Sequence, residues 1–434
     1  MRILLIGLLL CSIGFAQDME TIHGGKGDYT YRNSQWFDVG KTGEIKVERV
    51  NADVKIIGWD QSRVEVIETA KMDVYTKEEA NEIIDRFETS FSQTGSRITI
   101  RGNNHGHWEK KFFEINVPRK FLTNVRINQG SIYVEGMNET VDLRSSSGNI
   151  AVKDIDGNVK MRTSGGELEA FGVSGTCFGK TSGGNITYED LGMESEARTS
   201  GGNIRVTNAK KTLLLKTSGG EIGVKNAGGD IDAHTNGGAI GVRDCKGDVN
   251  LRTNGGNIFL KDIVGKMLGD TNGGDIIGEN LEGSLNVETN GGDIELDDIR
   301  GGVRATTHAG DIELTITSTD FSKDHTSHLK THHGDIHVTL PSKMPLTISA
   351  QITQKSRWDR YEIYTDFPMT MQPTGTNRTT RSSGTINGGG DTMVLETSAG
   401  NIYIGDGSGT KNRKRQRMRS EGKNWHDDEE DCDC

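Results

Sequence analysis

Apolar and polar residues alternate along this chain in short stretches, and the stretches recur with a period of eighteen from Ile127 to Asp324. Eleven such blocks follow one another without an apparent insertion or deletion. The sixth place of each block is Ile or Leu, and the fifteenth and seventeenth places form a second apolar pair, such as Val141 and Leu143. Because successive side chains of a strand point to opposite faces, each block is predicted to contain two short strands with one buried face.

Glycine occupies the fourth place of every block, within the recurring segment Thr-Ser/Asn-Gly-Gly-x-Ile. A second set of glycines, such as Gly157, follows a lone apolar residue between the two strands. Glycine at this place permits the left-handed backbone that a sharp corner needs. Two strands and two corners leave no room for a crossover helix, so successive blocks must pair in parallel, coil on coil. The predicted fold is all-β, a parallel β-solenoid or β-helix. Stacked amides are then predicted to hydrogen-bond along an Asn ladder of Asn236, Asn254, Asn272 and Asn290.

The segment before the array, residues 36–126, is predicted to hold a first coil and a cap. Ile45 and Val47 have the spacing of the sixth and eighth places, and Val54 and Ile56 have that of the fifteenth and seventeenth. This match places one coil ahead of the interruption in the repeat.

A helix is predicted over residues 76–91 of this segment. Thr76 has the position of an N-cap, with Glu79 three residues later, and Phe91 is the last member of an apolar face. Such a helix can cover the exposed end of a solenoid, which would otherwise invite edge-to-edge association. A membrane-surface helix is the alternative, but its many acidic residues would be repelled by anionic lipid.

The ends of the chain differ in character from the array. Residues 1–16 have the charge, apolar run and small-residue cleavage site of a signal peptide, so the mature chain is predicted to be exported. Residues 17–35 are polar and are predicted to form a flexible leader. Residues 325–405 continue the repeat as irregular coils. Residues 406–434 carry opposed charge blocks and are predicted to be a disordered tail.

Composition favours an elongated coil over a globule. Hydrophobic residues make up 32% of the chain and 58 of the 434 residues are glycine, as expected for a thin coil that buries few large side chains. The net charge of −11 argues against a nucleic-acid partner, and no run after Ala16 reaches the length of a membrane span. Cys177 and Cys245 occupy core places and are predicted to be buried. Cys432 and Cys434 form an exposed pair, or else a metal-binding or cross-linking one.

Three motifs resemble those of the adhesin-like β-helix family of bacterial envelope proteins. They are the repeated Thr-Ser-Gly-Gly-(Asn/Asp)-Ile, the segment Gly58-Trp59-Asp60 and the closing block Gly384-Thr385-Ile386-Asn387-Gly388-Gly389-Gly390. The resemblance extends over residues 37–405 and implies the solenoid architecture and an envelope location. It brings no catalytic residues to this chain.

The eighteenth place of the repeat is basic in most blocks, although like charges one strand spacing apart repel each other. One interpretation is a linear cationic track for a polyanion such as an acidic polysaccharide or lipid headgroups. The alternative is a solvated face whose side chains pair with acids such as Glu167, Glu189 and Glu221. The candidate binding residues are Arg144, Arg162, Lys180, Arg198, Lys216 and Arg252, and the row then turns acidic at Asp270 and Glu288.

Two further clusters suggest metal ions. Acids at the fifth place could bind calcium as in a parallel β-roll, but the Gly-Gly-x-Gly-x-Asp order of such rolls is missing. If the register resumes at Thr331, His308 and His332 stack on adjacent coils, and with His333 they form a candidate zinc or nickel site. Surface histidines of a polar loop are the alternative, and no cofactor is expected. The fifth-place acids are Asp275, Asp293 and Asp311, followed by Asp335.

The preferred functional interpretation is an exported, non-enzymatic solenoid, either adhesin-like or a scaffold of the cell envelope. Its expected partners are an acidic polysaccharide, another envelope component or a second copy of the chain. The alternative is a carbohydrate-active enzyme, because parallel β-helices also host polysaccharide lyases and hydrolases. Its one candidate groove surrounds Trp358-Asp359-Arg360-Tyr361, since the coils themselves lack the loop insertions that would wall a pocket.

Overall fold

Short strands joined by tight corners make up almost all of the structure, as the all-β prediction requires. This computed structural model describes residues 18–22, 27–86, 89–102, 110–354, 360–372 and 378–407. The chain divides into an N-terminal unit, Met1–Thr217, and a C-terminal unit, Ser218–Cys434. The predicted signal peptide, nearly all of the predicted tail, Cys432 and Cys434 lie outside the described residues.

The N-terminal unit contains 19 strands and one helix among its described residues. They are β1 (Asp18–Ile22), β2 (Tyr29–Asp38), β3 (Thr42–Glu48), β4 (Asp53–Trp59), β5 (Arg63–Met72), α1 (Lys77–Arg86), β6 (Ser90–Thr94), β7 (Arg97–Arg101), β8 (Lys110–Pro118), β9 (Lys120–Arg126), β10 (Ile132–Glu135), β11 (Val141–Arg144), β12 (Ile150–Ile155), β13 (Val159–Arg162), β14 (Leu168–Val173), β15 (Cys177–Lys180), β16 (Ile186–Leu191), β17 (Ser195–Arg198), β18 (Ile204–Ala209) and β19 (Leu213–Lys216).

Two parallel sheets enclose the core of this unit. The even-numbered strands β10 to β18 form the sixth-place sheet, and the odd-numbered strands β9 to β19 form the fifteenth-place sheet. Each strand pairs in register with the strand one block later, so that Ile132 lies opposite Ile150 and Val141 opposite Val159. The inward side chains of both sheets are buried. The predicted parallel solenoid is therefore confirmed.

Antiparallel strands begin this unit, where the sequence predicted a flexible leader. β2 and β8 both pair antiparallel with β5, and β8 joins them to β4 of the sixth-place sheet. β1 pairs antiparallel with β2 as well. Residues 18–22 and 29–35 therefore lie in paired strands, and the prediction of a leader over 17–35 is wrong for them. Two inward residues of this strand are polar and buried, and Gln35 donates Nε2–H to Asn33 Oδ1 at 2.9 Å.

The helix α1 ends at Arg86, so the predicted span of 76–91 is too long. Phe91 lies in β6, which pairs antiparallel with β7, and its ring is 6.4 Å from that of Phe37. The predicted start is confirmed, because the Thr76 hydroxyl accepts a hydrogen bond from Glu79 N–H at 3.2 Å.

The inner face of α1 packs on the antiparallel strands. Ala80 and Ile84 are buried against Tyr31, Ala70 and Met72. The helix thus covers the inward faces of β2 and β5, at the end of the unit where a cap was expected.

The first coil, β3 and β4, lies on the opposite sheets from those that the spacing suggested. Ile45 is aligned with Thr123 of β9, in the fifteenth-place sheet, and Val54 is aligned with Ile132, a sixth-place residue. Both strands have the same two-residue apolar step, so the step alone cannot assign a strand to a sheet.

A buried threonine ladder holds each glycine corner together. The Thr181 hydroxyl donates to Gly166 O of the preceding coil at 2.8 Å and accepts from Gly184 N–H of its own coil at 3.4 Å. One side chain thereby satisfies two backbone groups that a corner leaves without a strand partner. Thr163 and Thr199 make the same pair of bonds.

The second corner depends on a left-handed residue at the tenth place. Asp154, Asp190 and Asn208 have φ angles of 53°, 57° and 59°, and Gly172 has 67°. Asp and Asn tolerate this region better than other side chains do. The prediction that the thirteenth-place glycine provides a left-handed corner holds for Gly265 and Gly283 of the C-terminal unit, which have φ angles of 151° and 127°. It is wrong for Gly157, where φ lies outside the left-handed region and a Cβ would lie 2.5 Å from Glu139 O, so close packing explains that glycine.

The C-terminal unit contains 19 strands among its described residues. They are β20 (Ile222–Ala227), β21 (Ile231–His234), β22 (Ile240–Lys246), β23 (Val249–Arg252), β24 (Ile258–Val264), β25 (Met267–Asp270), β26 (Ile276–Glu282), β27 (Leu285–Glu288), β28 (Ile294–Arg300), β29 (Val303–Thr306), β30 (Ile312–Ile316), β31 (Ser327–Lys330), β32 (Ile336–Thr339), β33 (Leu346–Thr353), β34 (Ile363–Thr365), β35 (Thr370–Gln372), β36 (Thr379–Ile386), β37 (Asp391–Thr397) and β38 (Ile402–Gly405).

The same parallel coils build this unit, and they carry the predicted Asn ladder. Nδ2–H groups of Asn254, Asn272 and Asn290 donate to Oδ1 of the preceding ladder residue at 3.3, 3.1 and 2.8 Å. The prediction of amide bonds between coils is confirmed. In the fifteenth-place sheet, β33 pairs parallel with β37 and antiparallel with β36, and β35 pairs antiparallel with β36.

The eleventh block departs from the unbroken array that the sequence predicted. Ala305 of β29 lies opposite Leu329 of β31, whereas the repeat period would pair it with Lys323. The boundary predicted between residues 127–324 and 325–405 therefore cuts through a coil. The register resumes at Thr331, whose hydroxyl donates to Gly310 O at 2.8 Å. Among the described residues of the chain, no helix is long and apolar enough to span a membrane.

Candidate functional site

Six cations stand in one row on the outer face of the fifteenth-place sheet of the N-terminal unit. We call this set the cationic row: Arg126, Arg144, Arg162, Lys180, Arg198 and Lys216. Each is aligned with the next across a parallel strand pair, and each is exposed. The alternation of the strands explains the placement, because the fifteenth and seventeenth places are buried and the eighteenth must point outward. At a strand spacing of about 4.8 Å, five steps make a row about 24 Å long.

The row has few counter-charges within the described part of the unit. Arg198 pairs with Glu196 of its own strand. None of the other five cations lies within ion-pair distance of a described acid, and the predicted partner Glu167 instead accepts a hydrogen bond from Asn185 Nδ2 at 3.2 Å. The alternative interpretation, in which the cations pair with acids such as Glu167 and Glu189, is therefore supported by no ion pair among the described residues of this unit.

The sixteenth place lies beside the row on the same face. Lys160 adds a seventh cation, and Phe178 adds an aromatic ring whose centroid is 5.2 Å from the Arg162 guanidinium carbon. Asp142 and Glu196 are the acids of this place in the same strands. The surface is therefore mainly positive, with one ring that an Arg side chain partly covers.

Arg126 was not predicted as part of the track, and Arg252, which was predicted, is described with the other unit. Arg126 directly precedes the first block, yet it lies one full period before Arg144, so a search for the period beyond the block limits would have found it. Arg252 lies in the C-terminal unit, aligned with His234 on one side and Asp270 on the other.

A shallow cavity of about 570 Å³ adjoins the first residue of the row. Its lining includes Arg126, Lys46, Glu48 and Arg101. Glu48 is aligned with Arg126 and bonds Lys46 at 2.7 Å and also Arg101. These hydrogen bonds, first that of Lys46 and then that of Arg101, lower the pKa of the Glu48 carboxyl from 4.5 to about 2. This carboxylate is thus already neutralised by its own partners.

Acid should weaken the N-terminal unit through Glu48. Because its carboxyl binds a proton less readily when folded than when unfolded, the pair stabilises the fold above pH 4.5 and loses that effect as pH falls toward 2. We expect NMR titration of the Glu48 side chain to show a midpoint near pH 2. The melting temperature of E48Q should fall less steeply between pH 4.5 and pH 2 than the melting temperature of the wild type. A Glu48 midpoint near 4.5 would contradict the ion-pair geometry.

The three candidate metal-binding histidines do come close together in the C-terminal unit. The ring centroids of His308 and His332 are 4.5 Å apart, and those of His308 and His333 are 6.0 Å apart. The predicted stacking on adjacent coils therefore occurs. Among the described residues, however, no group of three or more His, Cys, Asp or Glu side chains has a geometry that would hold a metal ion.

The fifth-place acids have a structural role within the C-terminal unit. Oδ1 of Asp275, Asp293 and Asp311 each accepts a hydrogen bond from the backbone N–H of the next fifth-place residue, at 3.0, 2.8 and 2.8 Å. Asn257 does the same for Asp275 at 2.9 Å. Because an amide serves as well as a carboxylate, the ladder requires an acceptor oxygen and not a charge.

The groove proposed for enzymatic activity can be described only in part. Trp358 and Asp359 lie outside the described residues, while Arg360 is exposed and Gln354 Nε2–H donates to Tyr361 O at 3.2 Å. These contacts bring no pair of carboxylates together.

The repeat motif and the paired sheets agree with one known family. Toastrack DUF4097 matches residues 43–243 and 210–405. The chain belongs to this family. The membership confirms the resemblance of the Toastrack motifs to adhesin-like β-helix proteins and accounts for most of the described residues. No curated protein matches the chain.

Solved structures similar to this Toastrack protein share little sequence with it. A "putative adhesin" from Bacteroides fragilis is 10% identical, with a TM-score of 0.22, and the match covers 71% of this chain and 96% of the other. A "putative lipid binding protein" from Parabacteroides distasonis is 13% identical, with a TM-score of 0.23 and coverage of 71% and 97%. A "putative cell adhesion protein" from Clostridium sporogenes is 8% identical, with a TM-score of 0.14 and coverage of 90% and 99%.

Proposed function

We propose that this Toastrack protein is an exported, adhesin-like binding protein whose cationic row holds an acidic polysaccharide. The observation that carries the proposal is the row itself: six exposed cations in register, five of them without an ion pair among the described residues. Like charges one strand spacing apart repel each other, and a bound polyanion would relieve that repulsion.

A linear ligand suits the row better than a compact one. The cations are evenly spaced along the coil axis for about 24 Å, so an extended chain can meet several of them at once. Many weak contacts along one chain then add up through effective concentration, although each exposed pair contributes only about 0.2–1 kcal/mol. A nucleic acid is the less suitable polyanion, because the signal-peptide pattern of residues 1–16 predicts an exported chain.

Binding without catalysis is the second part of the proposal. The thiols of Cys177 and Cys245 are buried, and burial raises the pKa of Cys177 to about 12 and that of Cys245 to about 11, so neither suits a nucleophile. The cavity beside the row is lined by a carboxylate that its own partners already neutralise. The signal-peptide pattern of residues 1–16 supports export of the mature chain.

Reversal of three charges tests the role of the row. We expect the full chain to bind polygalacturonate, and the triple variant R144E/R162E/K180E to bind it about tenfold more weakly or worse, since each reversal removes an attraction and adds a repulsion. Biolayer interferometry at two salt concentrations measures both the affinity and its expected fall with salt.

The control is an equal reversal on another row, K225E/R243E/K261E. These residues are also aligned across parallel strands, in the C-terminal unit, but Arg243 and Lys261 lie 3.7 and 3.1 Å from Asp244 and Glu279. This variant should keep most of the binding. Equal losses in both variants would show that only total charge matters, and an absence of salt-sensitive binding in the wild type would refute the proposal.

A further inference from the structure

A tryptophan pair on the outer face of the N-terminal unit takes no part in the cationic row. The rings of Trp36 and Trp59 stack with centroids 6.4 Å apart and planes 19° from parallel. Arg63 lies against both, with its guanidinium carbon 4.3 Å from the Trp36 centroid and 5.8 Å from that of Trp59. Trp36 remains 39% exposed. We call these three residues the tryptophan platform.

The platform is assembled from strands that are not neighbours. β2, β5, β8 and β4 lie side by side in that order, with Trp36 on the first and Trp59 on the last. At about 4.8 Å per strand, their backbones are about 14 Å apart, so the two indoles must lean toward each other over β5 and β8. The alternation of side chains along a single strand therefore does not by itself bring the two indoles together.

Hydrogen bonds fix the platform in place before any ligand arrives. Trp59 Nε1–H donates to Arg63 O at 2.8 Å, and Arg63 Nε–H donates to Gln61 Oε1 at 2.8 Å. The terminal Nη groups of Arg63 have no hydrogen-bond partner among the described residues. A ligand would meet the exposed part of the Trp36 indole, beside residues already held in place, together with a free pair of donors, and this order lowers the entropic cost of binding.

Acceptor groups belong to residues next to the platform. Asp38 is exposed and aligned with Arg63 across β2 and β5. Asp60 directly follows Trp59, its side chain is 87% exposed, and it lies 3.1 Å from Arg119 Nε. Gln61 Oε1 already bonds Arg63 Nε–H. The residues beside the platform therefore supply two carboxylates, an amide and a guanidinium.

We propose that the tryptophan platform binds a neutral sugar ring of a glycan. A pyranose has an apolar C–H face that can lie on the indole, and hydroxyls at its edge that donate to Asp38, Asp60 and Gln61 and accept from Arg63. An anionic ligand would meet two carboxylates. A stable protein partner would need about 800 Å² of surface with several apolar anchors, whereas here one indole is the main exposed apolar group. A membrane surface would be opposed by the acids.

Titration of the full chain with four neutral hexasaccharides tests this site. The probes are the β-1,4-linked hexamers of glucose, mannose, galactose and N-acetylglucosamine, and the readouts are tryptophan fluorescence and isothermal calorimetry. We expect at least one hexamer to bind, with little dependence on salt. W36A should weaken that binding about tenfold or more, while W36Y, which keeps a flat ring, should weaken it less.

Two controls separate this site from the cationic row and from general surface aromaticity. Y75A removes an aromatic ring that is 69% exposed in the same unit, and R144E/R162E/K180E disrupts the row; both should bind the hexamer as the wild type does. Circular dichroism and thermal melting verify that each variant is folded. The proposal is overturned if none of the four hexamers binds the wild type at millimolar concentration, or if binding survives in folded W36A.

Discussion

Replacing Gly184 with alanine is expected to lower the free energy of unfolding of the N-terminal unit by about 3 kcal/mol. A Cβ at this fourth place would lie 2.0 Å from Gly166 O and 2.4 Å from Gly166 C. These are backbone atoms of the preceding coil and cannot rotate away, so the two coils must move apart. Such a shift would also break the Thr181 bonds that join the same two glycines.

The neighbouring Gly183 provides the matched control. A Cβ at this third place would meet nothing closer than 3.8 Å, and its φ lies outside the left-handed region. Gly183→Ala should therefore be neutral or stabilising by a few tenths of a kcal/mol, because alanine reduces the entropy of the unfolded chain. Urea denaturation of both variants, followed by circular dichroism, gives the two values. A similar loss in the free energy of unfolding in both variants would mean that the close approach between fourth-place glycines is not what makes glycine necessary there.

Replacing Lys111 with methionine should cost the N-terminal unit about 3–5 kcal/mol. Lys111 Nζ lies 2.5 Å from Glu68 Oε1, and the two side chains are only 6% and 4% exposed. Thr89 joins the pair, because its hydroxyl donates to Glu68 at 2.5 Å and accepts from Lys111 at 2.8 Å. Without the ammonium group, the carboxylate would be left buried with an uncompensated charge.

Two companion variants decide whether the lost pairing is the cause. K55M removes an exposed lysine of β4 and should change stability by less than about 0.5 kcal/mol. The double variant E68L/K111M removes both charges and should recover most of the loss, since apolar replacement of a buried pair is often neutral. If K111M unfolds at the same urea concentration as K55M, or if the double variant recovers nothing, the pair does not stabilise the fold as described.

The repeat could be predicted from the sequence because every coil packs against its neighbour through the same kinds of residue. Fourth-place glycines and sixth-place apolar residues lie against their own counterparts one coil away, and a first-place threonine bonds the fourth-place glycine of the preceding coil. The same contacts therefore recur with the repeat period. The antiparallel start of the chain has no such period. Its inward faces include Asn33, Gln35, Glu68 and Lys111, whose burial depends on partners in distant strands. Asn33 and Gln35 satisfy each other in this way, and when only the sequence is considered such polar residues look like a flexible leader.

The candidate sites show the same contrast between residues that the repeat period relates and residues that only the fold brings together. The cationic row was found because its members share a place in the period, and only Arg126, just outside the blocks, was missed. Phe91 was assigned to the helix because its spacing continues the apolar face, whereas pairing of β6 with β7 determines its actual place. The tryptophan platform joins β2, β4 and β5, and no local spacing relates Trp36 to Trp59.

The open third place gives this fold one position per coil where new chemistry can be introduced without rebuilding the interior. A Cβ at Gly165 would meet nothing within 4 Å, and several coils already carry side chains at this place. Ser147, Ala309 and His333 are examples, and all three are exposed. A lineage of such proteins can therefore diversify its surface one coil at a time, and a peptide or label attached along this line would be displayed at regular intervals.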